Sequence, residues 1–298
     1  MTSVSINRPG EGRGLGKLAQ IDWGLVGLLC LIAAVGAVML YSVGGASMTP
    51  WAGNHIVRFT IFLAMTLVLA LVDIRVWFAL SYPVYVVAIL LLVAVEVVGD
   101  TRMGAQRWLS IGSFSFQPSE IMKVGIVMAL ARFYHGLSAE DARWSWKLLI
   151  PAVMIALPVA LVAHQPDLGT SLLILFTGAA IMFIAGLSWT VIAALAAAAA
   201  VAVPVMYMFV LHEYQRTRID ILLNPGSDPS GAGYHVTQGK IALGSGGFLG
   251  AGFGLGSQSQ RDFLPEKHTD FIYASLGEEF GFIGAFGILV VYGLAIAA

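Results

Sequence analysis

Six ionisable side chains fall within residues 263–281 (FLPEKHTDFIYASLGEEFG), where a polar stretch leads into an apolar one: Glu266, Lys267, His268, Asp270, Glu278 and Glu279. Ionisable groups at or inside a bilayer are costly, so they usually face a polar cavity or a partner. Glu266, His268 and Asp270 alternate, and on an extended segment this spacing points all three to one side. We therefore expect chemistry here. A structural alternative is that Asp270 caps the following helix, while Glu278 and Glu279 pair with Lys123 or an arginine.

A second set of polar residues lies in residues 104–108 (GAQRW) and 116–123 (FQPSEIMK). Pro118 fits the start of a helix, and Glu120 and Lys123 are spaced to pair on its first turn. Two interpretations stay open. The pair is a structural ion pair at a membrane surface with Trp108 as an interface aromatic, or Arg107 and Lys123 hold a phosphate while Trp108 stacks on a sugar or a prenyl chain.

Two shorter motifs complete the set. In residues 164–170 (HQPDLGT), Asp167 either caps the next helix or lines a cavity, where it binds a metal or orients a basic side chain. The glycine-rich residues 244–256 lack the Gly-Lys-Ser/Thr ending of a nucleotide loop and have no strand before them, so we exclude that function. Close backbone packing, or N–H groups facing a phosphate, fits this run better. Glu96 is expected to extend its side chain toward the membrane surface.

Composition indicates what must position these residues. Hydrophobic residues make up 58% of the 298 and charged residues 11%, against roughly 25% charged in a soluble domain. With a mean hydropathy of +0.84 the chain is predicted to be an integral membrane protein. The net charge of −1 gives no sign of nucleic-acid binding, and Cys30 is the only cysteine, so no internal disulfide can form.

We predict an all-α, polytopic integral membrane helical bundle, because only helices satisfy their own backbone in lipid at this hydrophobicity. Eight apolar segments are long enough to be transmembrane helices: Trp23–Ser42, Ile56–Val72, Val76–Val98, Pro118–Tyr134, Leu148–Ala163, Leu168–Leu187, Val191–Leu211 and Phe271–Ala298. The whole of residues 1–298 is predicted to form a single membrane domain.

The Lys/Arg bias of the short loops predicts a cytoplasmic N-terminus, with residues 1–22 as a cytoplasmic segment. On that side lie Arg8, Arg13, Lys17, Arg75, Arg132, Arg143 and Lys147, against Arg58, Arg102 and Arg107 on the other. This orientation places residues 99–117, the turn at 164–169 and the large loop 212–270, just before the last helix, together on the extracytoplasmic side. The large loop is expected to be a folded cap, since loops of this length are usually functional or disordered.

Taken together and in order, GAQRW, FQPSEIMK, HQPDLGT, GSGGFLG and FLPEKHTDFIYASLGEEFG resemble the SEDS family of bacterial cell-wall polymerases (shape, elongation, division and sporulation). HQPDLGT and LPEKHTDF resemble the elongation members more than the division members. Family members have ten helices, so this chain, with eight predicted, departs from the family by lacking the final two. The apolar end at Ala298, with no Lys or Arg after it, also leads us to expect that further helices follow in a complete protein.

The resemblance implies a peptidoglycan glycosyltransferase that polymerises lipid II on the outer face of the bacterial plasma (inner) membrane. A growing strand on undecaprenyl pyrophosphate is the donor, and a hydroxyl of a fresh lipid II attacks with inversion. Asp270 matches the family's essential aspartate and is the expected catalytic base. Cations suit a pyrophosphate leaving group. The expected substrate-binding residues are Arg107, Trp108, Gln117, Glu120, Lys123, Asp167, Lys240 and His268.

A divalent cation, Mg²⁺ or Mn²⁺, is an alternative way to hold the pyrophosphate; the metal ligands are not identified, and Glu266 and Asp270 are the candidates. The resemblance also implies a partner, a class B penicillin-binding protein that cross-links the strands, in addition to membrane lipid. The chief alternative function is a flippase of lipid-linked cell-wall precursors. A flippase should carry charges along a path across the bilayer, whereas this chain concentrates them on one side. A membrane scaffold would leave those charges unexplained.

Overall fold

The computed structural model describes residues 18–102, 105–112, 114–209, 211, 213–224, 226 and 231–298. The chain divides into two compact units. The terminal unit comprises Met1–Leu71 and Arg216–Ala298, and the central unit is Val72–Gln215. Of the predicted cytoplasmic segment 1–22, residues 1–17, with Arg8, Arg13 and Lys17, lie outside the described residues. The motif residue Gly104 and residue His212 at the start of the large loop also lie outside them.

The protein is predominantly helical, as expected. In chain order the helices are α1 (Trp23–Val43), α2 (Gly53–Ala70), α3 (Ile74–Val98), α4 (Pro118–His135), α5 (Ala139–Arg143), α6 (Leu149–His164), α7 (Leu168–Ile184), α8 (Trp189–Phe209), α9 (Glu213–Leu223), α10 (Ala232–Ser245), α11 (Ser257–Gln260) and α12 (Ile272–Ala297). A π-helical turn, Met48–Ala52, precedes α2, and a 3-10 turn, Trp146–Leu148, precedes α6. The boundary between the units falls within α9.

Six helical stretches of the described chain are long and apolar enough to cross a membrane: Trp23–Val43, Met48–Ala70, Ile74–Val98, Trp146–His164, Trp189–Phe209 and Ile272–Ala297. The other two predicted segments are also helical, but α7 has only 17 residues and α4 carries Glu120, Lys123 and Arg132. The chain is therefore a multi-pass membrane protein of the all-α class. The stretch predicted as one large loop holds the helices α9, α10 and α11.

The segment between α3 and α4, predicted only as a polar loop, folds as a small antiparallel sheet. Its strands are β1 (Asp100–Arg102), β2 (Ala105–Ile111) and β3 (Phe114–Phe116), in the order β1-β2-β3. Trp108 lies opposite Asp100, and Leu109 lies opposite Phe116. The strands hydrogen-bond to one another, so this non-helical backbone satisfies its own polar groups close to the end of a membrane helix.

The central unit has its core between α3, α4, α6 and α7. Its buried side chains are Ala88, Leu92, Met122, Ile126, Leu130, Ile155, Val162, Ile174, Met182 and Leu187. Gly178 allows the close approach of α7 to α6, because a Cβ there would lie 2.5 Å from Cγ1 of Ile155. The Tyr85 hydroxyl donates to the carbonyl of Met154 at 3.0 Å, which joins α3 to α6. This packing fixes the ends of the four helices that carry the polar residues of the unit.

In the terminal unit α12 packs against α1 and α10, and it is broken at Gly281 (φ 66°, ψ −163°). The glycine-rich segment lies along the break. Ala251 N and Gly252 N donate to the carbonyls of Glu278 and Glu279, at 2.9 and 3.0 Å. In return, the N–H groups of residues 282 and 283 donate to the carbonyls of residues 247 and 248. Partners outside the helix thus satisfy backbone groups that the break releases.

The glycines of this segment are required by that contact. A Cβ on Gly246 would clash with the carbonyl of Gly277, and one on Gly250 would clash with the carbonyl of Glu279. Gly250 also has a φ of +88°, which L side chains rarely adopt. Of the two functions predicted for this run, close backbone packing is therefore the one that the structure supports.

Candidate functional site

Asp167 organises the polar end of the central unit. It is the N-cap of α7, where its Oδ1 accepts from the backbone N–H of Thr170 at 3.2 Å and its Oδ2 accepts from the Thr170 hydroxyl at 2.9 Å. The capping interpretation is therefore confirmed. The same carboxylate also accepts from the Gln117 side-chain amide at 3.0 Å and lies 3.6 Å from Nη1 of Arg107. Capping and orienting a basic side chain are thus performed by one residue.

Arg107 is held on the sheet by the turn that contains Asp167. Its Nη2 donates to the carbonyl of Pro166 at 2.9 Å, and its side chain is 25% exposed. Its buried Nε has no partner among the described residues. Because successive side chains of a strand point to opposite faces, Trp108 lies on the other face of β2 from Arg107. A single ligand group therefore cannot contact both side chains on one face of the strand.

The predicted pair of Glu120 and Lys123 is present, with 2.8 Å between Oε2 and Nζ and side-chain exposures of 59% and 32%. Glu96 has a partner as well, since its Oε2 lies 3.0 Å from Nδ1 of His164. The buried Gln165 donates to the carbonyl of Leu92 at 2.9 Å and so ties the turn to α3. The sheet, the 164–167 turn and the start of α4 therefore meet at one end of this unit.

In the terminal unit, residues 263–271 are not extended as predicted. Residues 265–271 form consecutive turns, in which Thr269 N and Phe271 N both donate to the carbonyl of Glu266, at 3.1 and 3.3 Å. Glu266 has a φ of +49°, which is uncommon for a residue with a side chain. The inference that Glu266, His268 and Asp270 all point to one side is therefore wrong. The side chains of Glu266 and His268 are still close, with 3.8 Å between Oε2 of Glu266 and Nε2 of His268.

Asp270 is exposed, and its carboxylate has no hydrogen bond or ion pair to any described residue. The prediction that it caps the last helix is wrong. The cap position of α12 is Phe271, and no side chain there accepts a capping hydrogen bond. An aspartate that neither caps nor pairs is available to a ligand.

His268 stacks on Trp51, with ring centroids 3.8 Å apart and an angle of 22° between the planes. The two rings belong to the wall of a cavity of about 490 Å³, with Leu40, Pro50, Asn54, His55, Arg58, Phe59, Phe62 and Thr269. Arg58 has no carboxylate partner among the described side chains. The helix α2 begins at Gly53, three residues before the predicted segment Ile56–Val72, and carries Arg58 in its second turn. Asn54, His55 and Arg58 at one end of an otherwise apolar helix were the signal that could have revealed the cavity.

Lys240 lies on α10, is exposed and makes no hydrogen bond or ion pair with a described residue. Its neighbour Gly239 packs against Phe271, since a Cβ on Gly239 would lie 2.7 Å from ring carbons of Phe271. Lys240 and Asp270 are each adjacent in sequence to one member of this contact. The structure thus places a cation and a carboxylate, both without partners in the described chain, in one region of the terminal unit.

Glu278 and Glu279 are both buried, with 1% exposure. Glu278 accepts from residues 257–259, and Glu279 Oε1 accepts from the Ser42 hydroxyl at 2.5 Å. Their predicted pairing with Lys123 or an arginine is therefore wrong, because hydroxyl, amide and backbone donors satisfy them. Burial of a carboxylate demands such donors. Glu279 Oε2 is left without a partner in the described chain.

No group of three or more His, Cys, Asp or Glu side chains in the described ranges is arranged to hold a metal ion. The candidate ligands Glu266 and Asp270 would supply two carboxylates at most, both exposed. Carboxylates suit Mg²⁺ or Mn²⁺ chemically, but octahedral Mg²⁺ would have to complete its shell with water and substrate oxygens. The divalent cation stays a prediction.

Comparisons with known proteins agree on one family. Residues 20–298 match the family model FTSW_RODA_SPOVE, described as cell cycle protein. The chain is 40% identical over 278 residues to the peptidoglycan glycosyltransferase MrdB of Escherichia coli K12, covering 93% of this chain and 74% of the relative. It is 34% identical over 280 residues to a probable peptidoglycan glycosyltransferase FtsW of Acinetobacter baylyi, covering 90% and 67%.

Solved structures give the same result. One is a chain from a study of structural coordination of polymerization and crosslinking by a peptidoglycan synthase complex; its TM-score is 0.76 at 34% identity, covering 93% of this chain and 76% of that one. The other is the rod shape determining protein RodA of Thermus thermophilus, with a TM-score of 0.63 at 30% identity, covering 93% and 73%. The resemblance found in the motifs is therefore confirmed, and the chain belongs to the FtsW/RodA/SpoVE family of cell cycle proteins, the SEDS family.

Proposed function

We propose that this chain is a peptidoglycan glycosyltransferase that polymerises lipid II into glycan strands for cell elongation and rod shape. The observation that carries the proposal is family membership over residues 20–298, together with relatives that are named as peptidoglycan glycosyltransferases. The identity of 40% to MrdB against 34% to an FtsW supports the elongation role over the division role. The chain spans about three quarters of the length of MrdB.

In the reaction, a sugar hydroxyl of lipid II attacks the anomeric carbon of the strand linked to undecaprenyl pyrophosphate. The new glycosidic C–O bond forms as the bond to the pyrophosphate oxygen breaks, with inversion, and the hydroxyl proton passes to a base. Asp270 is proposed as that base, because its exposed carboxylate has no partner in the described chain and a base must be free to accept a proton. The pyrophosphate leaves as an anion and so needs cations more than it needs an acid.

The available cations differ between the units. Lys240 and Arg58 have no carboxylate partner in the described chain, so either can bind a phosphate without first losing an ion pair. Arg107 and Lys123 already pair with Asp167 and Glu120. We propose that Lys240 and Arg58 bind pyrophosphate directly. Within the central unit, Arg107, Gln117, Glu120, Lys123 and Asp167 form a preorganised polar surface, and Trp108 lies on the opposite face of its strand from Arg107. In the terminal unit, His268 is stacked on Trp51. A substrate-binding role for each of these residues stays part of the proposal.

The membrane topology is part of the proposal. Eight transmembrane helices, with α4 and α7 added to the six apolar ones, would place the N-terminus in the cytoplasm and residues 212–270 outside the bacterial inner membrane. An even number of spans puts both chain ends on one side. The Lys/Arg bias of the short loops supports this orientation.

A class B penicillin-binding protein is the proposed partner. The support is the likeness to a chain from a study of a peptidoglycan synthase complex, at a TM-score of 0.76. The flippase alternative is not favoured, because the relatives are named for a transferase activity.

The test is polymerisation of purified lipid II by the purified protein with its penicillin-binding partner, whose transpeptidase is blocked with a β-lactam. Glycan strands resolved on a gel are expected. A flippase would instead move a fluorescent lipid II analogue across vesicles that contain the protein, without making strands. Transport without strands would overturn the proposal.

A further inference from the structure

The buried carboxylate of Glu278 lies against a four-residue helix, α11, at the start of the segment that leads to Asp270. Its Oε1 accepts from the backbone N–H of Gln258 at 2.7 Å and from the Ser257 hydroxyl at 3.3 Å. Its Oε2 accepts from the backbone N–H and the hydroxyl of Ser259, at 3.1 and 2.9 Å. The side chain is 1% exposed. Four donors from three consecutive residues thus converge on one carboxylate.

The sequence of the segment is adapted to this contact. A Cβ on Gly256 would lie 2.7 Å from Glu278 Oε2, so a side chain at 256 would displace the carboxylate. No cation neutralises Glu278 in the described chain. Its carboxylate oxygens are satisfied instead by two backbone N–H groups and two hydroxyls. A buried carboxylate with these bonds made is favourable, and one with them broken is strongly unfavourable.

We call the contact between Glu278 and residues 257–259 the clamp. Further bonds connect it to the segment that leads to Asp270. Lys267 Nζ donates to the carbonyl of Ser259 at 2.6 Å and to Asp262 Oδ1 at 2.7 Å. Leu264 N donates to the carbonyl of Gln258 at 3.2 Å, and the Leu264 side chain is buried with Ala242 and Ala274. The segment is therefore tied at both ends of its turn to residues that Glu278 holds. Asp270 follows Lys267 by three residues.

We infer that Glu278 is a positioning residue, whose buried carboxylate on the last helix holds residues 256–267 and thereby fixes the place of Asp270. The inference rests on the proposed function, because it assigns Asp270 the role of the base. Glu278 is buried and acts through this segment, not by contact with the substrate. Loss of the clamp lets the segment that carries the base move, and a displacement of about 1 Å can cost on the order of 10²-fold in rate.

Two measurements on the full chain test it: hydrogen–deuterium exchange of residues 256–270, and lipid II polymerisation with the penicillin-binding partner, analysed as kcat and KM. In Glu278→Gln an amide N–H₂ replaces one acceptor oxygen and faces N–H donors. We expect amide exchange at residues 258–267 to rise at least tenfold and kcat to fall about 10- to 100-fold. KM should change less than twofold, because the loss concerns the transition state. Glu278→Asp keeps the carboxylate, so its kcat should lie between those of Glu278→Gln and the wild type.

Glu140→Gln is the matched control, since Glu140 is exposed on α5 in the central unit; it should leave exchange and kcat unchanged. If Glu278→Gln does not fold, Ser259→Ala removes one donor and should still raise exchange and lower kcat about threefold. Unchanged exchange in the folded variants would overturn the clamp. Faster exchange with unchanged kcat would overturn the positioning role. A wild-type protein that makes no glycan strands would refute the proposed function instead. The hydrogen–deuterium exchange measurements would then still show whether Glu278 holds residues 256–267.

Discussion

The two units treat their polar side chains differently. In the central unit, Asp167 binds Arg107 and Gln117, Glu120 binds Lys123 and Glu96 binds His164. The terminal unit also has ion pairs, between Lys267 and Asp262 and between His268 and Glu266, but its Asp270, Lys240 and Arg58 make none in the described chain. Charged groups that already have partners supply shape and rigidity, whereas those without partners keep their full capacity for a ligand. The proposed chemistry therefore belongs to the terminal unit.

The largest expected effect is at Asp270. Asp270→Asn keeps size and most hydrogen bonding but removes the basic oxygen, so strand synthesis should fall about 10²- to 10⁴-fold with folding intact. The rate of glycan-strand formation from lipid II measures this, with the same partner protein for both forms. Glu140→Gln, which neutralises an exposed carboxylate of the central unit, is the control and should retain most activity. Near-normal strands from folded Asp270→Asn would remove Asp270 from the mechanism.

Arg58 should come next. Arg58→Ala removes a cation from the cavity beside His268, and a hydrogen bond to a charged group contributes about 1.5–3 kcal/mol, or roughly 10- to 150-fold in kcat/KM. Arg261→Ala, an exposed arginine of the same unit, is the matched control. Initial rates at several lipid II concentrations separate the two variants. Equal rates for both would mean that the cavity does not bind the pyrophosphate.

Asp167 should affect stability more than chemistry. Asp167→Ala removes a helix cap, at about 0.5–2 kcal/mol, and leaves Arg107 and Gln117 without their shared acceptor. Asp167→Asn can still cap and should lose less. Thermal unfolding in detergent should therefore rank wild type, Asn and Ala in that order. An Asn variant as unstable as the Ala variant would show that the charge, and not the cap, holds the turn.

The Glu120–Lys123 pair should matter little for folding, because an exposed ion pair contributes about 0–1 kcal/mol. As substrate-binding residues, both should nevertheless lower polymerase activity when replaced by Ala, with membrane insertion intact. A double-mutant cycle on activity gives their coupling. Full activity in both single variants would mark the pair as structural or irrelevant.

The smallest effect concerns pH. The Lys267 ammonium beside Asp262 lowers the pKa of that carboxyl below its ordinary value of 3.8. A lowered folded-state pKa means that the bond is fully present above about pH 4 and is lost as the pH falls through the folded-state pKa. The protection of the amides of residues 259–267, which is their exchange rate corrected for the intrinsic effect of pH, should thus fall only in acid, and Asp262→Asn should abolish that dependence. A dependence that persists in Asp262→Asn would have another origin.

Much of the fold can be predicted from the sequence, because the length of an apolar segment is a strong indicator of a membrane-spanning helix. The segment Val76–Val98 was predicted within two residues of α3, and Pro118 marks the first residue of α4 as expected. The sheet could not be predicted as easily, because its strands have only three to seven residues and resemble a polar loop in sequence. The alternation in residues 105–111 was the available signal.

The candidate site was predictable in residue type but not in arrangement. Asp270 and Lys240 could be named from the motifs, whereas the turns at 265–270 depend on hydrogen bonds to Glu266 that spacing does not reveal. The partners of Glu278 and Glu279 are neutral donors, so a search for opposite charges could not find them. The break at Gly281 is equally hidden, because the residues around it are as apolar as those of an unbroken helix.

That break has a consequence for how the protein is made. The half of α12 after Gly281 is wholly apolar and can enter lipid by itself, but the half before it carries Glu278 and Glu279. A charged residue at the centre of an inserting helix costs about 2.5–3.5 kcal/mol. The donors that satisfy these carboxylates, and the carbonyls of residues 247 and 248 that complete the broken backbone, all come from chain synthesised earlier. Membrane integration of α12 is thus coupled to prior folding of the segment before it. A substitution in residues 244–260 that prevents this folding should therefore block the insertion of α12, although the sequence of α12 itself is unchanged.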